Sequence, residues 1–491
     1  MSKVQALTSH IKSKISKSAS QSSCYSLYNA TNNKTRDKIQ FATPEDIQQA
    51  IQDASSAQER WHRDHTPTQR SEILQKASYI LTGRSDEITA HEVKDTGRTI
   101  SEIKSYDVPA ASRCLSYYAN MPSVLSNGTY HDIDHSFAYV KREPIGVTAG
   151  IGAWNYPLMN AVAKSAPSLS FGNSMLFKPS ELTPNSALIL ADIYEEAGVP
   201  PGVFQVLLGD GSVGAELVAS PSIGKVSFTG SVETGKKLCQ IKAAAESNNF
   251  SKMTLELGGK SPFIIMEDAD LDQAVTGAMQ ANWYSNGQVC SNGTRVFVHE
   301  SLKDEFLERL VERTKLFKIG DPMQEDTEVG PMVSENHMNN VLNYIEIGKN
   351  ADKAQLLYGG ERVFSSLEDG FYLTPAIFSN CTDDMKIVQE EVFGMLMSVL
   401  TFQDEDEVIR RANATQFGLA AGIFTNDIKR AHRMANHLKA GNVWINNYNL
   451  GPVELPWGGC KHSGVGRENG SYDAAFEWTM GKSVYVEMDD I

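Results

Sequence analysis

The sequence contains no apolar run of 18 or more residues and no charged, apolar and small-residue series of the secretory kind. Neither a membrane-spanning helix nor a secretory signal is therefore expected. Cysteine is scarce. Cys24, Cys114, Cys239, Cys290, Cys381 and Cys460 lie far apart without a Cys-x-x-Cys pair, and His-Glu-x-x-His is absent. That usage points to reduced thiols in an intracellular protein, without a disulfide framework or a zinc site, and no metal is required. Positive charge is in deficit: the formal net charge is -15, with both signs spread along the chain, so neither nucleic acid nor an anionic membrane is expected as a partner. The first 36 residues lack any acid, and no arginine precedes Arg36. Their lysines (Lys3, Lys12, Lys14, Lys17) and serines share the bias of a mitochondrial presequence. The missing arginines favour instead a loosely ordered N-terminus on a cytoplasmic protein, with mitochondrial import as the alternative. No internal repeat or low-complexity linker divides the chain.

What is present is an α/β pattern. At 491 residues two or three domains are expected. Thr43-Pro44-Glu45-Asp46 is a strong helix start, and amphipathic periodicity continues to about Tyr118. Residues 129 to 142 and Val484 to Met488 read as strands whose exposed edges need partners. Between 144 and 262, short apolar runs (Gly146–Ile151, Ser174–Phe177, Val203–Leu208, Lys225–Phe228) alternate with helical stretches such as Asn185–Ala197, which predicts a parallel sheet. A second α/β unit runs from about 259 to 460, with strands near Pro262–Met266, Thr294–Val298 and Gly441–Ile445.

Two phosphate-binding patterns fail on inspection. Gly209-Asp-Gly211-Ser-Val-Gly214 fits G-x-G-x-x-G after a strand, yet no acid ends the next strand, Lys225–Gly230, to hold a ribose. Gly230-Ser-Val-Glu-Thr-Gly235-Lys236-Lys237 is nearly a P-loop, but Lys237 stands where a hydroxyl should meet magnesium, which weighs against a nucleotide hydrolase. The stretch from Glu256-Leu-Gly-Gly-Lys260 to Gly287-Gln-Val-Cys290-Ser-Asn-Gly-Thr-Arg295 is more informative. A lone cysteine is usually a buried small hydrophobe. Here Cys290 lies in a polar, glycine-bearing loop, where substrate can approach.

These two segments resemble the catalytic signatures of the NAD(P)-dependent aldehyde dehydrogenase superfamily, and the resemblance runs from about residue 40 to the C-terminus. It implies an aldehyde dehydrogenase-like fold: two Rossmann-related parallel α/β domains plus a small β oligomerisation element. The implied boundaries are 1–125 and 145–258 for the cofactor domain, 259–462 for the catalytic domain, and 126–144 with 478–491 for the oligomerisation element. It further implies oxidation of an aldehyde to its acid through a Cys290 thiohemiacetal and thioester. Asn155, in Gly152-Ala153-Trp154-Asn155-Tyr156-Pro157, and the Cys290 N–H would form the oxyanion hole, and Glu256 would be the general base. A nucleophilic Cys290 implies a lowered thiol pKa. Lys164 and Glu468 match a charge-relay pair, for which a structural salt bridge is an equal alternative. For the cofactor, the resemblance implies contacts from Gly152, Ala153, Trp154, Lys178, Pro179, Ser180 and Glu181. It adds Gly230, Ser231, Val232, Glu233 and Thr234 at a helix start, then Gly258, Glu391 and Phe393. Glu181 beside a ribose hydroxyl favours NAD over NADP without barring the latter. Met395 departs from the family, which usually carries proline there.

The C-terminal third, including Trp444-Ile-Asn-Asn-Tyr448 and Pro452-Val-Glu-Leu-Pro-Trp457, resembles the betaine aldehyde and 4-trimethylaminobutyraldehyde branch. Tyr156, Tyr284, Trp457 and Tyr448 match an aromatic box for a quaternary ammonium. Ala163 stands where relatives often carry tryptophan, which would widen the box. Betaine aldehyde is the expected substrate, with longer aminoaldehydes as the alternative, and the partner copies expected are those of a homodimer or homotetramer. An inactive structural scaffold would have no need of Cys290, Glu256 and Asn155.

Overall fold

The computed structural model of the chain describes residues 24–125, 128–245, 250–363, 370–470 and 472–488. The basic, serine-rich first 23 residues lie outside that set. In chain order the strands are β1 (Cys24–Tyr28), β2 (Thr35–Gln40), β3 (Tyr130–Ile133), β4 (Ser136–Pro144), β5 (Val147–Ile151), β6 (Ser174–Lys178), β7 (Phe204–Val206), β8 (Ile223–Thr229) and β9 (Lys252–Glu256). They continue with β10 (Pro262–Ile265), β11 (Arg295–His299), β12 (Gln355–Tyr358), β13 (Ala376–Ser379), β14 (Leu396–Phe402), β15 (Ala420–Phe424), β16 (Asn442–Ile445), β17 (Gly464–Val465) and β18 (Thr479–Glu487).

Among the described residues these strands form four sheets. One has six strands in the order β17-β9-β8-β5-β6-β7, parallel except for β17. Another has seven, β12-β13-β14-β11-β10-β15-β16, parallel except where β12 meets β13. Every residue of β5, β6 and β10 is buried, as continuous apolar runs require when helices cover both faces of a parallel sheet. The two α/β units and their short, strongly apolar strands are therefore as the sequence predicts.

The helical expectation over 43–118 is also met. Thr43 caps the helix Pro44–Asp64 by accepting from the Asp46 N–H, while the Asp46 side chain accepts from the Thr43 N–H. The helix Asn185–Ala197 has the predicted bounds and stops at Gly198 in a left-handed cap.

Three expectations need correction. The segment before residue 36 is not wholly loose: β1 and β2 pair as a hairpin. Its turn packs away from the six-stranded unit, since Ala30 is buried in the core of the seven-stranded one and its carbonyl accepts from Phe371 N–H at 3.1 Å. Second, the strands at 130–144 and 479–487 do not both await a neighbour. β18 runs antiparallel to β4 over its whole length, from Thr479 opposite Pro144 to Glu487 opposite Ser136, and β3 covers the other edge of β4. Local pattern cannot show that two segments more than 300 residues apart complete each other. Third, β9, which ends in Glu256, and strands β12 to β15 and β17 are absent from the sequence reading. β9 is half-polar and follows a lysine-bearing stretch, so neither an apolar run nor clean alternation marks it.

Candidate active site

The carboxyl ends of β5, β6, β8 and β9 face a cleft of about 1790 Å³, the place where open α/β sheets bind ligands, and the segments leading into β10, β11 and β14 of the other unit line its opposite side. Asn155, Cys290, Glu256, Glu391 and Glu468 all line it, as do Lys178, Glu181, Ser231, Thr234 and the aromatic residues Tyr156, Tyr284, Tyr448 and Trp457. Segments more than three hundred residues apart in the chain thus converge.

Cys290 is carried by a strained loop. The helix Leu271–Trp283 ends in a tight turn, Tyr284–Gly287, in which Ser285 (φ 53°), Asn286 (φ 54°) and Gly287 (φ 72°) are all left-handed. Gly287 has no alternative, because a Cβ there would lie 2.4 Å from the Gly394 backbone. Left-handed non-glycine residues cost about 1–3 kcal/mol each and persist only where the surroundings over-determine them. Here they do. Ser285 N–H donates to the Glu102 carboxylate at 2.9 Å, and the Tyr156 and Ser285 hydroxyls are paired at 2.7 Å. Asn286 donates to the Pro331 carbonyl at 2.9 Å and accepts from Gly330 N–H at 2.9 Å. Beyond the cysteine, Tyr448 donates to the Ser291 carbonyl at 2.7 Å.

The expectation of a lowered thiol pKa is overturned. Burial pushes the Cys290 thiol up to about 12, and the charges of Glu391 and Glu256 push in the same direction. A thiolate beside two carboxylates in a low-dielectric site is unfavourable, so the resting group is a thiol. Glu256 stands at the end of β9 opposite Gly464 of β17, and both of its carboxylate oxygens are buried without a hydrogen bond. Its pKa is driven well above the usual carboxylate range by burial and by the neighbouring Glu468; Lys164, Arg467 and Lys225 oppose the rise.

Glu468 behaves oppositely. Although burial pushes its pKa up, Lys164 and Lys225 outweigh that and hold it below the usual value. Lys164 Nζ is 3.4 Å and Lys225 Nζ 3.3 Å from its oxygens, Ser227 donates to it at 2.5 Å, and Lys164 also donates to Ser227 at 2.7 Å. Lys164 and Glu468 are therefore brought together, in a larger ionic cluster than the sequence indicates.

Asn155 is buried, and its amide donates to the Gln288 carbonyl at 2.9 Å, tying the oxyanion candidate to the Cys290 loop. Glu391 accepts from Gly259 N–H at 3.0 Å, and burial raises it to about 7. Gly258 is required beneath it, since a Cβ there would fall 1.9 Å from its carboxylate. Phe393 is left-handed (φ 61°), with its carbonyl 2.7 Å from His337 Nε2. His337 also meets Trp154 edge-on at 5.1 Å. The sequence reading misses His337, whose one signal is a histidine in the first turn of a helix. The departure at Met395 proves to be packing: its side chain is buried in the core.

At the other end of the cleft, Lys178 and Glu181 pair at 3.3 Å with the lysine almost fully buried, so they are not a solvated surface pair. Gly230 and Ser231 precede the helix Val232–Ala244, whose N-terminus Ser231 caps by accepting from Thr234 N–H. Pro179 belongs to the first of these turns and Val232 and Glu233 to the second, while Ala153 lies in the segment after β5 that also lines the cleft. Asp210, Gly211 and Gly214 of the rejected G-x-G-x-x-G also border the cleft.

Of the box residues, Tyr156 already carries a cation on one face: the Arg98 guanidinium lies 4.1 Å from its ring centre and 6.0 Å from that of Tyr284. Arg98 is in turn held by both oxygens of Asp107. Tyr448 is largely covered by Trp444 (4.6 Å between centroids) and Phe263 (5.5 Å), and serves as wall and anchor. Trp457 stands 6.2 Å from Trp444 at the cleft. Arg98 and Glu102 also escape the sequence reading, because nothing local indicates that two charges in a helical stretch turn inward.

Residues 16–484 match the aldehyde dehydrogenase family. An aldehyde dehydrogenase of Bacillus cereus, solved as an NAD+ complex, aligns with a TM-score of 0.91 at 38% identity, over 95% of this chain and 94% of that one. Betaine aldehyde dehydrogenase of Staphylococcus aureus, also in complex with NAD+, aligns with a TM-score of 0.91 at 35% identity, over 96% of this chain and 92% of that one. With a family match running almost end to end and relatives that share the fold and more than a third of their residues, the chain belongs to the aldehyde dehydrogenase family.

Proposed function

We propose that the protein oxidises an aldehyde to its carboxylic acid with NAD, and that betaine aldehyde is the preferred substrate. The observation that carries the reading is the convergence of Cys290, Glu256 and Asn155 in one cleft. NAD is supported by the NAD+ complexes of the two relatives and by the residues at hand. The N-terminus of Val232–Ala244 offers backbone N–H groups to a pyrophosphate, with Gly230 and Ser231 before it. Gly152, Ala153, Trp154, Pro179 and Ser180 would flank the adenosine side, with Lys178 and Glu181 at its ribose. Gly258, Glu391 and Phe393 would seat the other ribose. When bound, the cofactor accepts a hydride from the substrate carbon.

The chain's own residues account for the rest. Because the Cys290 thiol is protonated at rest, attack on the aldehyde must be coupled to removal of its proton. Glu391, balanced near pH 7, and Glu256 are the carboxylates that act on the sulfur. Asn155 and the Cys290 N–H steady the alkoxide of the thiohemiacetal; one such donor is worth roughly 3–4 kcal/mol. Glu256 then takes a proton from the water that cleaves the thioester. It must first lose its own proton, and the buried Lys164–Glu468 cluster beside it supplies a relay.

The proposed modules are the cofactor domain (1–125, 145–258), from which the turn of the β1–β2 hairpin reaches the core of the other unit, the catalytic domain (259–462) and a β element (126–144, 478–491) that would join copies into a dimer or tetramer. The outer edge of β18 supports that assembly, since β4 covers only its inner edge.

For the substrate, Tyr156, Tyr284 and Trp457 surround a site where a trimethylammonium gains roughly 0.5–2 kcal/mol per good contact. Betaine aldehyde should exceed neutral 3,3-dimethylbutanal in kcat/KM by about tenfold or more, equivalent to 1.4 kcal/mol. Trp457→Ala should remove most of that margin. A longer aminoaldehyde is the second reading, favoured by Ala163, which lines the cleft without filling it. NADH absorbance across betaine aldehyde, 4-trimethylaminobutyraldehyde, 3-aminopropanal and hexanal decides between them, and a preference for hexanal rejects both.

A further inference from the structure

The segment from Gly458 to Glu468 meets Glu256 at more than one point. Gly464 lies opposite it in the β17–β9 ladder, and Leu257 N–H donates to the Ser463 carbonyl at 2.9 Å. Gly458 touches it directly. A Cβ built on Gly458 would lie 2.7 Å from Glu256 Oε1 and 2.8 Å from Arg467 Nη1. The carboxylate and the guanidinium are thus separated by no more than the sum of those two lengths, across a glycine whose φ of 151° suits no other residue well. Arg467 is itself fixed. Its Nη1 donates to the carbonyls of Gly459 at 2.8 Å and Gly466 at 2.7 Å, and Gly441 leaves room for its Nη2.

We infer that Arg467 is a positioning residue for Glu256: held across Gly458, its guanidinium aims the carboxylate and balances its charge. The groups facing Glu256 sort by sign. Glu468 opposes its ionisation; Lys164, Lys225 and Arg467 favour it; the Cys290 thiol is uncharged at rest. Lys164 is paired with Glu468 at 3.4 Å, and Lys225 is shared between Glu468 at 3.3 Å and Glu477 at 2.8 Å. Arg467 has no carboxylate partner within ion-pair distance among the described residues, so its charge is the one left to act on Glu256. Without it, Glu256 faces the Glu468 anion with less compensation and holds its proton to higher pH.

The inference rests on Glu256 being the base proposed above. The test compares the full-length enzyme with Arg467→Met and Arg467→Lys by two pH profiles. One is NADH formation from betaine aldehyde; the other is hydrolysis of p-nitrophenyl acetate without cofactor, which requires only acylation and deacylation of Cys290. In Arg467→Met the acid limb of both profiles should move up by about one pH unit, with kcat at pH 7 falling about tenfold and KM for NAD little changed. Arg467→Lys should recover much of that displacement. A fall in kcat with an unmoved limb, or no change at all, overturns the inference. If Arg467→Met does not fold by circular dichroism, Arg467→Lys decides alone: a limb raised by a smaller amount supports the role, and an unmoved limb overturns it. Absence of NADH formation in the unaltered enzyme would instead reject the proposed function.

Discussion

Glu256 and Cys290 line the same cleft, yet the chain delivers them in contrasting ways. Glu256 ends a strand: parallel pairing with β8 and antiparallel pairing with β17 place its Cα, and no left-handed residue is needed in β9. Cys290 follows two left-handed non-glycine residues whose shape is imposed from outside by Glu102, Tyr156 and Pro331. Backbone pairing places a group cheaply but leaves its charge to be tuned by neighbours. Strain held by remote side chains places a group where no regular element reaches, and makes that placement sensitive to distant substitutions.

The largest effect should follow from removing the thiol. Cys290→Ala should lower turnover by about 10⁴-fold or more while NAD still binds, as read by NADH absorbance and by calorimetry; appreciable residual turnover would deny its role as nucleophile. The raised thiol pKa adds a pH test. Since only the thiolate reacts, alkylation of Cys290 by iodoacetamide should still be climbing about tenfold per pH unit above pH 9, whereas a plateau below pH 8 would show an activated thiol.

Glu256→Gln should slow the hydrolytic half by roughly 10²–10⁴-fold. A burst of NADH near one per site followed by slow turnover is expected, and full steady-state activity would exclude Glu256 as the base.

Glu102→Ala tests the contrast itself. It leaves the Ser285 N–H buried and unsatisfied, a cost of about 1–3 kcal/mol, and releases the strained turn. Both Tm and kcat should fall, kcat by about tenfold, although Glu102 does not line the cleft. An unchanged kcat would mean the turn holds its shape without that pin.

The smallest effect concerns the cofactor end. Glu181→Ala should narrow the NAD-to-NADP ratio of kcat/KM by about three- to tenfold, corresponding to roughly 1 kcal/mol of lost discrimination. An unchanged ratio would remove Glu181 as the ribose reader.

The residues that line the candidate site were largely legible in the sequence, because they lie in short segments that resemble the family's signatures. Glu256-Leu-Gly-Gly and Gly-Gln-Val-Cys290 stand out without any knowledge of the fold, as do Trp154-Asn155-Tyr156 and Phe177-Lys178. The short apolar strands of both sheets were legible for a separate reason, since burial on both faces demands continuous hydrophobic runs. The charge states were not. Cys290 reads as an activated thiolate when only its role as a nucleophile is considered, and the structure makes it a thiol because desolvation and then Glu391 and Glu256, distant in the chain, raise its pKa. Arg98 on Tyr156, Lys225 on Glu468 and Arg467 across Gly458 are likewise contacts between segments that local pattern cannot pair. Sequence by itself thus determined which side chains are available and which local backbone shapes they can adopt, through propensity, glycine placement and hydrophobic period. Only the tertiary structure decided who stands next to whom, and with it ionisation, because Coulombic and desolvation energies depend on distance and burial in space and not on separation along the chain.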